Sequence, residues 1–367
     1  MKVLFCGGGT AGHITPALAM ADILGQKFKN TEFAFVGRSG GAENEAIIRE
    51  DKRLYTLSVS GLSRSLTPKN IRAVLRAIRA TGEAKEIIRE FKPDLIIGTG
   101  GYVSYPVLRA GIRLGVPTML HESNATPGLV TRLIGKRCDR LLLSYPECKR
   151  ELRAKNAVVT GNPTRKLKLI PYNEARARLG IRKDEFFILS FGGSLGAQKI
   201  NEAISGVFRQ YSTRKRNTVH IHSSGRSGFP DMKMLNNTTS KSKVLPYIHD
   251  MPLYLSAADL AITRSGAMTV SELRDAAIPS ILIPSPNVTA NHQYKNALAL
   301  SELGGALIIE EEDLTADILV EKIELLRQDR RRLSEMKNNL NSHPSEDTAG
   351  ILVGEVSGLV GDKAIKY

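Results

Sequence analysis

The feature that most constrains the fold is a glycine turn that occurs twice, each time directly after a short apolar run. The first turn is residues 8–12 (GGTAG), and the second is residues 192–197 (GGSLGA), 184 positions later. Each contains a hydroxyl side chain and leads into a helical pattern. A glycine turn between a strand and a helix N-terminus is typical of the start of a Rossmann-like domain. The duplication therefore predicts two such domains.

Short apolar runs and helical patterns alternate along the rest of the chain. The runs predict strands at residues 3–6, 32–36, 95–97, 118–121, 141–143, 158–160, 187–191, 219–222, 260–263, 280–283 and 306–309. Helical patterns include residues 16–26, 69–90, 196–210, 270–277 and 290–302. This alternation is typical of parallel sheets covered on both faces. We therefore expect an α/β protein with two Rossmann-like parallel-sheet domains that face a cleft. The expected domains are residues 1–163 and 164–344, with a C-terminal helix at 345–362 that packs back on the first.

Composition excludes several classes of protein. With 42% hydrophobic residues among 367, the chain can bury a core that offsets the entropy of ordering, so disorder is not expected. The three cysteines form no C-x-x-C pair, which argues against a disulfide framework and a structural zinc site. The sequence contains no uninterrupted run of about 18–20 apolar residues, so no membrane-spanning helix is predicted. We expect a reducing, cytosolic compartment.

The positive charge of the chain is concentrated in its first half. The net charge is +15, and residues 1–163 carry 25 basic and 14 acidic residues against 27 and 23 in the remainder. No acidic residue stands between Asp51 and Glu83, a stretch that contains seven basic ones. Such a patch favours a polyanion, either nucleic acid or an anionic membrane surface.

The first glycine turn resembles a dinucleotide-binding motif only in part. Gly7, Gly9 and Gly12 match G-x-G-x-x-G, but the second predicted strand ends in Val-Gly-Arg, without the acidic residue that holds a ribose. His13 follows at the expected helix N-terminus, where the helix dipole disfavours protonation. A neutral imidazole there is a candidate proton acceptor from an attacking hydroxyl, against the alternative of a structural histidine.

The second half carries two further candidate anion sites. Backbone N–H groups of the second glycine turn are expected to cradle phosphates, with the Ser194 hydroxyl as a further donor and Arg165 as a nearby positive charge. Glu272 lies one turn into a helix that begins in the segment RSGAMTVSE, and it is a candidate acceptor for two ribose hydroxyls. The alternative is an ordinary carboxylate near a helix N-terminus.

Six segments in this order resemble the MurG family of N-acetylglucosaminyltransferases. They are GGTAGHITPALA, GTGGYVSYP, HESNATPG, FGGSLGAQKIN, RSGAMTVSEL and IPSPNVTANHQYKNALAL, and they span about residues 3–305. The resemblance implies glycosyltransferase fold B. It also implies inverting transfer of N-acetylglucosamine from UDP-N-acetylglucosamine to undecaprenyl-pyrophosphoryl-N-acetylmuramyl-pentapeptide, in peptidoglycan synthesis. One departure is Ala11, where many members have glycine.

The resemblance also implies roles for individual residues. Those implied to contact the sugar donor are Thr10, Ala11, Gly12, Asn124, Arg165, Ser194, Ile248, Ala267, Met268, Thr269, Val270, Ser271, Glu272 and Gln293. His13 and Glu122 occupy positions implied to be catalytic or acceptor-binding. Because His13, Glu122 and Asn124 are expected to be neighbours, the identity of the general base stays open between them.

Cofactors and partners follow from the same considerations. No Asp-x-Asp motif presents a metal to a diphosphate, and the acidic run 310–313 is expected to be a solvated helix start. Helix N-termini and Arg165 are expected to stabilise the leaving group without a metal or other cofactor. The rival functions are an NADP-dependent oxidoreductase, a sugar-nucleotide 2-epimerase and a nucleic-acid-binding protein. Aromatic residues are sparse (5%), Trp is absent, and no helix-turn-helix, RRM or KH signature appears, which argues against the last of these.

A membrane surface is the expected site of action. Residues 71, 74, 75 and 78 form an apolar stripe on the helix predicted after Thr67 and Pro68, and basic residues flank it. The predicted membrane contacts are Leu62, Leu66, Lys69, Arg72, Leu75, Arg76 and Arg79. We expect peripheral attachment to the cytoplasmic face of the plasma membrane, within a cell-wall synthesis complex active in cell division and shape.

Overall fold

A computed structural model describes residues 1–8, 11–41, 44–59, 69–164, 168–193, 196–212, 217–237 and 242–361. In addition, the side chains of Ala11, residues 69–78 and Thr289 lie outside the description. The chain divides into two compact units. The first is Met1–Arg165 with Glu346–Tyr367, and the second is Lys166–Ser345.

The first unit is built on a seven-stranded parallel sheet of order β3-β2-β1-β4-β5-β6-β7. Its strands are β1 (Lys2–Cys6), β2 (Glu32–Arg38), β3 (Arg53–Leu57), β4 (Leu95–Gly98), β5 (Thr118–Glu122), β6 (Arg140–Leu143) and β7 (Ala157–Val159). The central strands are almost entirely buried because helices cover both faces of the sheet. Their near-continuous apolar sequences reflect that burial.

Seven helices belong to the described part of this unit. They are α1 (Ala11–Lys27), α2 (Asn44–Arg49), α3 (Lys69–Phe91), α4 (Gly101–Leu114), α5 (Leu129–Ile134), α6 (Pro146–Leu152) and the chain's last helix, α15 (Thr348–Val360). Helix α15 packs against α1, and Glu355 on it pairs with Arg140 at 2.6 Å. The hydroxyl of Thr348 donates to the Thr160 carbonyl at 2.6 Å, which fixes the start of α15.

The second unit repeats the plan with a six-stranded parallel sheet of order β10-β9-β8-β11-β12-β13. Its strands are β8 (Phe186–Phe191), β9 (Thr218–Ser223), β10 (Ser242–Leu245), β11 (Leu260–Thr263), β12 (Ser280–Leu282) and β13 (Ala306–Ile308). Its helices are α7 (Tyr172–Leu179), α8 (Gln198–Ser212), α9 (Gly225–Met232), α10 (Met251–Ala257), α11 (Ala267–Asp275), α12 (His292–Glu302), α13 (Ala316–Gln328) and α14 (Arg330–Ser342).

Both glycine turns lie where the strand order of their sheet reverses. In the first unit β1 pairs with β2 on one side and β4 on the other, and in the second unit β8 pairs with β9 and β11. The loops that follow neighbouring strands diverge at such a point, which leaves room for a ligand at the carboxyl ends. The fold thus places a glycine turn at the ligand-binding position of each sheet.

The eleven predicted strands are confirmed, but β3 and β10 were not predicted. Both are edge strands. Strand β3 has the sequence RLYTL and only its last residue is buried, while β10 is four residues long and exposes Lys243. Because these two strands keep polar or charged residues toward solvent, they lack the continuous apolar run on which the predictions depended. The other edge strands, β7 (AVV) and β13 (ALI), have that run and were predicted.

Candidate active site

The first glycine turn packs against the loop that follows β4. A Cβ atom on Gly101 would lie 1.9 Å from the Gly8 carbonyl oxygen, and one on Gly100 would lie 2.8 Å from Cδ2 of His13. Both glycines also have positive φ, +72° at Gly101 and +98° at Gly100. The Thr99 hydroxyl donates to the His13 carbonyl at 2.6 Å. His13 is therefore held at the start of α1, over a stretch of backbone that only glycine permits.

Glu122 ends β5 and is buried, with only 6% of its surface exposed. One carboxylate oxygen accepts from the backbone N–H and the side-chain amide of Asn124, both at 3.1 Å. The other accepts from the Gly128 N–H at 2.7 Å and the Thr131 hydroxyl at 2.6 Å. With four donors supplied by its own loop, this carboxylate organises the connection from β5 to α5 and orients Asn124.

A ring of hydrogen-bonded side chains, the His121 ring, joins the same loop to the segment after β7. Its members are His121, Ser123, Ser144 and Asn162. Ser123 Oγ lies 3.3 Å from Nδ1 of His121, and Ser144 Oγ lies 3.2 Å from Nε2. Ser144 donates to the Asn162 side-chain oxygen at 2.8 Å, and the Asn162 amide donates to the Ser123 carbonyl at 3.1 Å. Burial lowers the pKa of His121 to about 4, so its ring is neutral at neutral pH.

The second glycine turn closes on itself ahead of α8. Gly193 and Gly196 have φ of +88° and +83°, and the Gly196 N–H donates to the Gly193 carbonyl at 3.0 Å. A Cβ atom on Gly196 would lie 2.1 Å from the Ser224 carbonyl oxygen, so this position also requires glycine. The first N–H groups of a helix such as α8 have no acceptor within the helix, which makes helix N-termini suited to anions.

Helix α11 presents a second N-terminus in the same unit. Gly266 precedes it in an extended conformation, with no side chain capping the helix. The side chain of Val270 packs into the core, as does that of Ile248 after β10, so these residues have only their backbone to offer a ligand. Met268, Thr269, Ser271 and Glu272 are half-buried, and Ala267 is 8% exposed.

Glu272 has an unusual electrostatic environment. Burial raises the pKa of its carboxyl group to about 7, and the nearby negative charge of Asp275 adds to the rise. The group therefore titrates near neutral pH and favours a ligand that donates hydrogen bonds to it.

Arg264 joins the carboxyl ends of three strands. Its guanidinium donates to the carbonyls of Ile283 and Pro284 at 3.2 and 3.3 Å, and it pairs with Glu311. The side chain of Glu311 is only 13% exposed. The expectation that residues 310–313 form a solvated helix start is therefore wrong for Glu311, because a half-buried arginine needs a counter-charge.

Helix α12 fixes two loops at the same edge of the sheet. The Gln293 side-chain oxygen accepts the Ser285 N–H at 2.9 Å, and the buried Asn296 amide donates to the Ser265 carbonyl at 3.2 Å. Asn296, Arg264 and the His121 ring were not predicted as parts of the site. The available signal was a polar residue inside an apolar pattern, as in NALAL for Asn296.

The predicted site residues differ in their position and in how much of each the structure describes. Gly12, His13, Glu122 and Asn124 lie in the first unit, and Ile248, residues 267–272 and Gln293 lie in the second, all near the carboxyl ends of strands. Those outside the described residues are Thr10, Arg165, Ser194, Leu62 and Leu66, together with Thr67 and Pro68. The backbone alone is described for Ala11, Lys69, Arg72, Leu75 and Arg76.

Comparison with known proteins identifies the family. Residues 3–143 match the Glycosyltransferase family 28 N-terminal domain, and residues 187–350 match the Glycosyltransferase family 28 C-terminal domain. A relative from Acetivibrio thermocellus is 41% identical, covering 93% of this chain and 94% of the relative. One from Caldicellulosiruptor saccharolyticus is 37% identical, covering 98% and 99%. Both are named UDP-N-acetylglucosamine--N-acetylmuramyl-(pentapeptide) pyrophosphoryl-undecaprenol N-acetylglucosamine transferase.

The crystal structure of Acinetobacter baumannii MurG aligns with a TM-score of 0.77 and 26% identity, over 97% of this chain and 99% of that one. The chain belongs to the MurG family. The family and the fold class predicted from the sequence, two α/β domains of glycosyltransferase fold B, are both confirmed.

Two further features of this MurG-family chain concern its described residues. No helix among them is both long and apolar enough to span a membrane. The described residues also contain no group of three or more His, Cys, Asp or Glu side chains that could hold a metal ion.

Replacing Glu122 by Ala should loosen the loop between β5 and α5. The change leaves buried donors of Asn124, Gly128 and Thr131 without their acceptor, at a cost of about 1–3 kcal/mol for each unsatisfied group. Urea unfolding should show a clearly lower free energy, and the Gly128 amide should exchange faster with deuterium. Glu147→Ala is the control, because Glu147 is an exposed partner of Arg150. Unchanged exchange at Gly128 in Glu122→Ala would contradict this account.

Proposed function

We propose that this chain transfers N-acetylglucosamine from UDP-N-acetylglucosamine to the C4 hydroxyl of undecaprenyl-pyrophosphoryl-N-acetylmuramyl-pentapeptide, with inversion at the anomeric carbon, in peptidoglycan synthesis. The observation that carries the proposal is the full-length similarity to curated relatives, one of them 41% identical over 93% of this chain, whose names state the donor and the acceptor. The glycine turns and the polar loops at the carboxyl ends of both sheets support it.

The donor is proposed to bind to the second unit. Backbone N–H groups of the second glycine turn and of the α11 N-terminus would hold the diphosphate, with Ser194 and Arg165 adding a hydroxyl and a positive charge. The backbone at Ile248 would contact the nucleoside, and the Glu272 carboxylate would accept from the ribose hydroxyls. Gln293 would contact the sugar of the donor. The resemblance to the family also assigns donor contacts to Thr10, Ala11, Gly12 and Asn124.

The chemistry is proposed to be one displacement. The acceptor C4 oxygen attacks C1 of N-acetylglucosamine, the bond from C1 to the diphosphate oxygen breaks, and UDP leaves with the electron pair. The hydroxyl proton passes to His13, whose place over the Gly100–Gly101 backbone at the start of α1 suits a general base. Because Glu122 already accepts four hydrogen bonds from its loop, we assign it a positioning role through Asn124.

We further propose that the transfer needs no metal ion or other cofactor. Two helix N-termini and Arg165 would stabilise the charge that develops on the diphosphate, which is the role that a metal has in other glycosyl transfers. Fixed dipoles need no reorganisation as the charge develops, so they stabilise the transition state at the moment of reaction.

The decisive experiment supplies UDP-N-acetylglucosamine and a lipid-linked acceptor and measures UDP release together with acceptor extension. We expect both, with EDTA leaving the reaction intact. His13→Ala should lower turnover by about 10²–10⁴ and leave donor affinity nearly unchanged. His343→Ala, at an exposed position in the second unit, is the control.

Other outcomes would redirect the proposal. Nicotinamide oxidation without UDP release would indicate an oxidoreductase, and conversion of the donor to its 2-epimer would indicate an epimerase. A drop below tenfold in His13→Ala would assign the general base to another residue, and complete, reversible loss with EDTA would overturn the metal-free account.

Donor affinity should depend on pH through Glu272. Since ribose hydroxyls donate to the charged carboxylate and its pKa is about 7, UDP binding should strengthen from about pH 6 to pH 8 and then level off. Glu272→Gln should raise the KM for donor, corresponding to about 1.5–3 kcal/mol, and remove this pH dependence. Asp275→Asn should move the transition to lower pH, because it removes the neighbouring negative charge. A pH profile that is the same in Glu272→Gln as in the wild type would exclude Glu272 from the donor site.

The acceptor is proposed to be reached at an anionic membrane, from the cytoplasmic face. Helix α4 packs against both α3 and α5, so the three helices form one layer of the first unit. On α5, Leu129 and Leu133 stand one turn apart and are 53% and 51% exposed. The exposed basic residues of α4, α5 and the turn after it are Arg113, Arg132, Lys136 and Arg137. Arg79 on α3 is also exposed, and it pairs with Glu83 at 3.3 Å.

Exposed leucines with a basic rim suit an interface of acyl chains and anionic headgroups. Between Gly101 and Cys138 the sequence has one acidic residue, the buried Glu122. Glu151 on α6 pairs with Arg132 and offsets part of the positive charge of this face, which Arg113, Lys136 and Arg137 supply as well. The predicted α3 contacts Lys69, Arg72, Leu75 and Arg76 would extend the same face, with Leu62 and Leu66 in the segment before it.

Replacing both Leu129 and Leu133 by Glu should abolish sedimentation with phosphatidylglycerol vesicles. Wild-type binding should weaken as added salt shortens the Debye length. Activity on a short, water-soluble acceptor should survive in the double variant. Ile48→Glu is the control, since Ile48 is an equally exposed apolar residue (64%) on α2, which packs beside α1. Equal vesicle binding by the double variant and wild type would show that α5 is not a membrane contact.

A further inference from the structure

A chain of buried polar side chains crosses the core of the second unit. Ser190 on β8 and His220 and His222 on β9 have no exposed surface, and Asn201 on α8 is 9% exposed. Ser190 Oγ lies 2.8 Å from Nε2 of His220 and 2.8 Å from Nδ1 of His222. Nε2 of His222 lies 3.0 Å from the Asn201 side-chain oxygen, and the Asn201 amide donates to the Ser224 carbonyl at 2.9 Å.

The hydrogen bonds of this chain can run in only one direction. Since the Asn201 amide faces a carbonyl, its oxygen faces His222, so His222 carries its proton on Nε2. Burial lowers the pKa of His222 to about 3 and that of His220 well below its usual value, so both rings are neutral. Nδ1 of His222 is then an acceptor for the Ser190 hydroxyl, and His220 must donate to Ser190 from Nε2.

The fold alone does not require these polar groups. In the first unit the corresponding strands β1 and β2 are covered by α1, as β8 and β9 are by α8. There the paired residues are Phe5 and Phe35, stacked with ring centroids 5.2 Å apart. Their counterparts in the register of the second sheet are Ser190 and His222. Burying hydroxyl, imidazole and amide groups has a desolvation cost that aromatic rings avoid. The hydrogen-bonded chain therefore has a role other than packing.

The hydrogen-bonded chain ends at Ser224, in the turn that packs against the second glycine turn. Ser224 lies between β9 and α9, and its N–H donates to the Leu245 carbonyl at 3.0 Å. Its carbonyl oxygen accepts from Asn201 and is the atom against which Gly196 packs, 2.1 Å from where a Cβ would stand. The Asn201 amide in turn lies against Gly228, where a Cβ would approach it to 2.2 Å.

We propose that His222 and Asn201 are positioning residues for donor binding. The oriented chain from Ser190 to Ser224 fixes the carbonyl against which Gly196 packs, and it thereby holds the N–H groups of the second glycine turn in place for a nucleoside diphosphate. This role rests on the proposed function, because it concerns the turn assigned there to the donor diphosphate. The chain is directional, so its two histidines differ in importance.

The test compares the same substitution at two positions of one strand. His222→Phe removes the bond that orients Asn201, whereas His220→Phe removes only the far end of the chain and leaves Ser190, His222 and Asn201 connected. Both should lose similar thermal stability. The dissociation constant for UDP, measured by calorimetry, should rise at least tenfold in His222→Phe and less than threefold in His220→Phe. Asn201→Ala should behave as His222→Phe does, and it replaces that variant if the latter does not fold.

Two readouts in the ligand-free protein separate this proposal from the proposed function. Nitrogen-15 spectra should show both histidines as Nε2–H tautomers, and the Gly196 and Ser224 amides should lose protection from exchange in His222→Phe but not in His220→Phe. If the wild type fails to bind UDP, the proposed function fails while these readouts still decide the positioning role. An Nδ1–H tautomer at His222, or equal effects of the two substitutions on exchange or on UDP affinity, would overturn it.

Discussion

Both units are organised around helix N-termini that follow the carboxyl ends of parallel strands. A helix leaves its first N–H groups without internal acceptors, and a parallel sheet brings several helix starts to one edge. Glycine allows the positive φ and close approach that this packing needs, as at Gly193 and Gly196 in the second glycine turn and at Gly100 beside the first. A side chain at Gly196 would collide with the Ser224 carbonyl, so the packing of the second glycine turn on Ser224 requires glycine at that position.

Most of the charged side chains at these edges hold loops in place, so other groups are left to contact a ligand. Glu122 accepts four hydrogen bonds from its own loop, and Arg264 spans three strand ends with Glu311 as its counter-charge. A charge that is already fully bonded gains little from a ligand, whereas Glu272 is half-buried and titrates near neutral pH. The electrostatic difference between these carboxylates is therefore a physical basis for separating positioning from binding.

Much of this architecture could be predicted from the sequence, and the limits have a physical cause. Central strands were found because burial on both faces requires continuous apolar runs. Strands β3 and β10 were missed because their sequences, RLYTL and SKVL, contain polar and charged residues. The glycine turns and the α11 segment were found because their signal is local. Pairs such as Arg264 with Glu311, or His121 with Asn162 through Ser144, join positions 47 and 41 residues apart. They depend on which strands are neighbours, which no local pattern specifies.

Apolar burial and polar burial contribute differently to this protein. Hydrophobic contacts are non-directional, so the cores around Phe5 and Phe187 can stabilise the two sheets without determining where a loop points. Hydrogen bonds are directional, and a buried donor without its acceptor is costly, so a network of buried hydrogen bonds tolerates few alternative arrangements. Each unit places such a network beside a loop at the carboxyl ends of its strands, the His121 ring in the first and the Ser190–Ser224 chain in the second. These buried polar groups have a desolvation cost, and what they determine is the geometry of the loops and not the stability of the sheets.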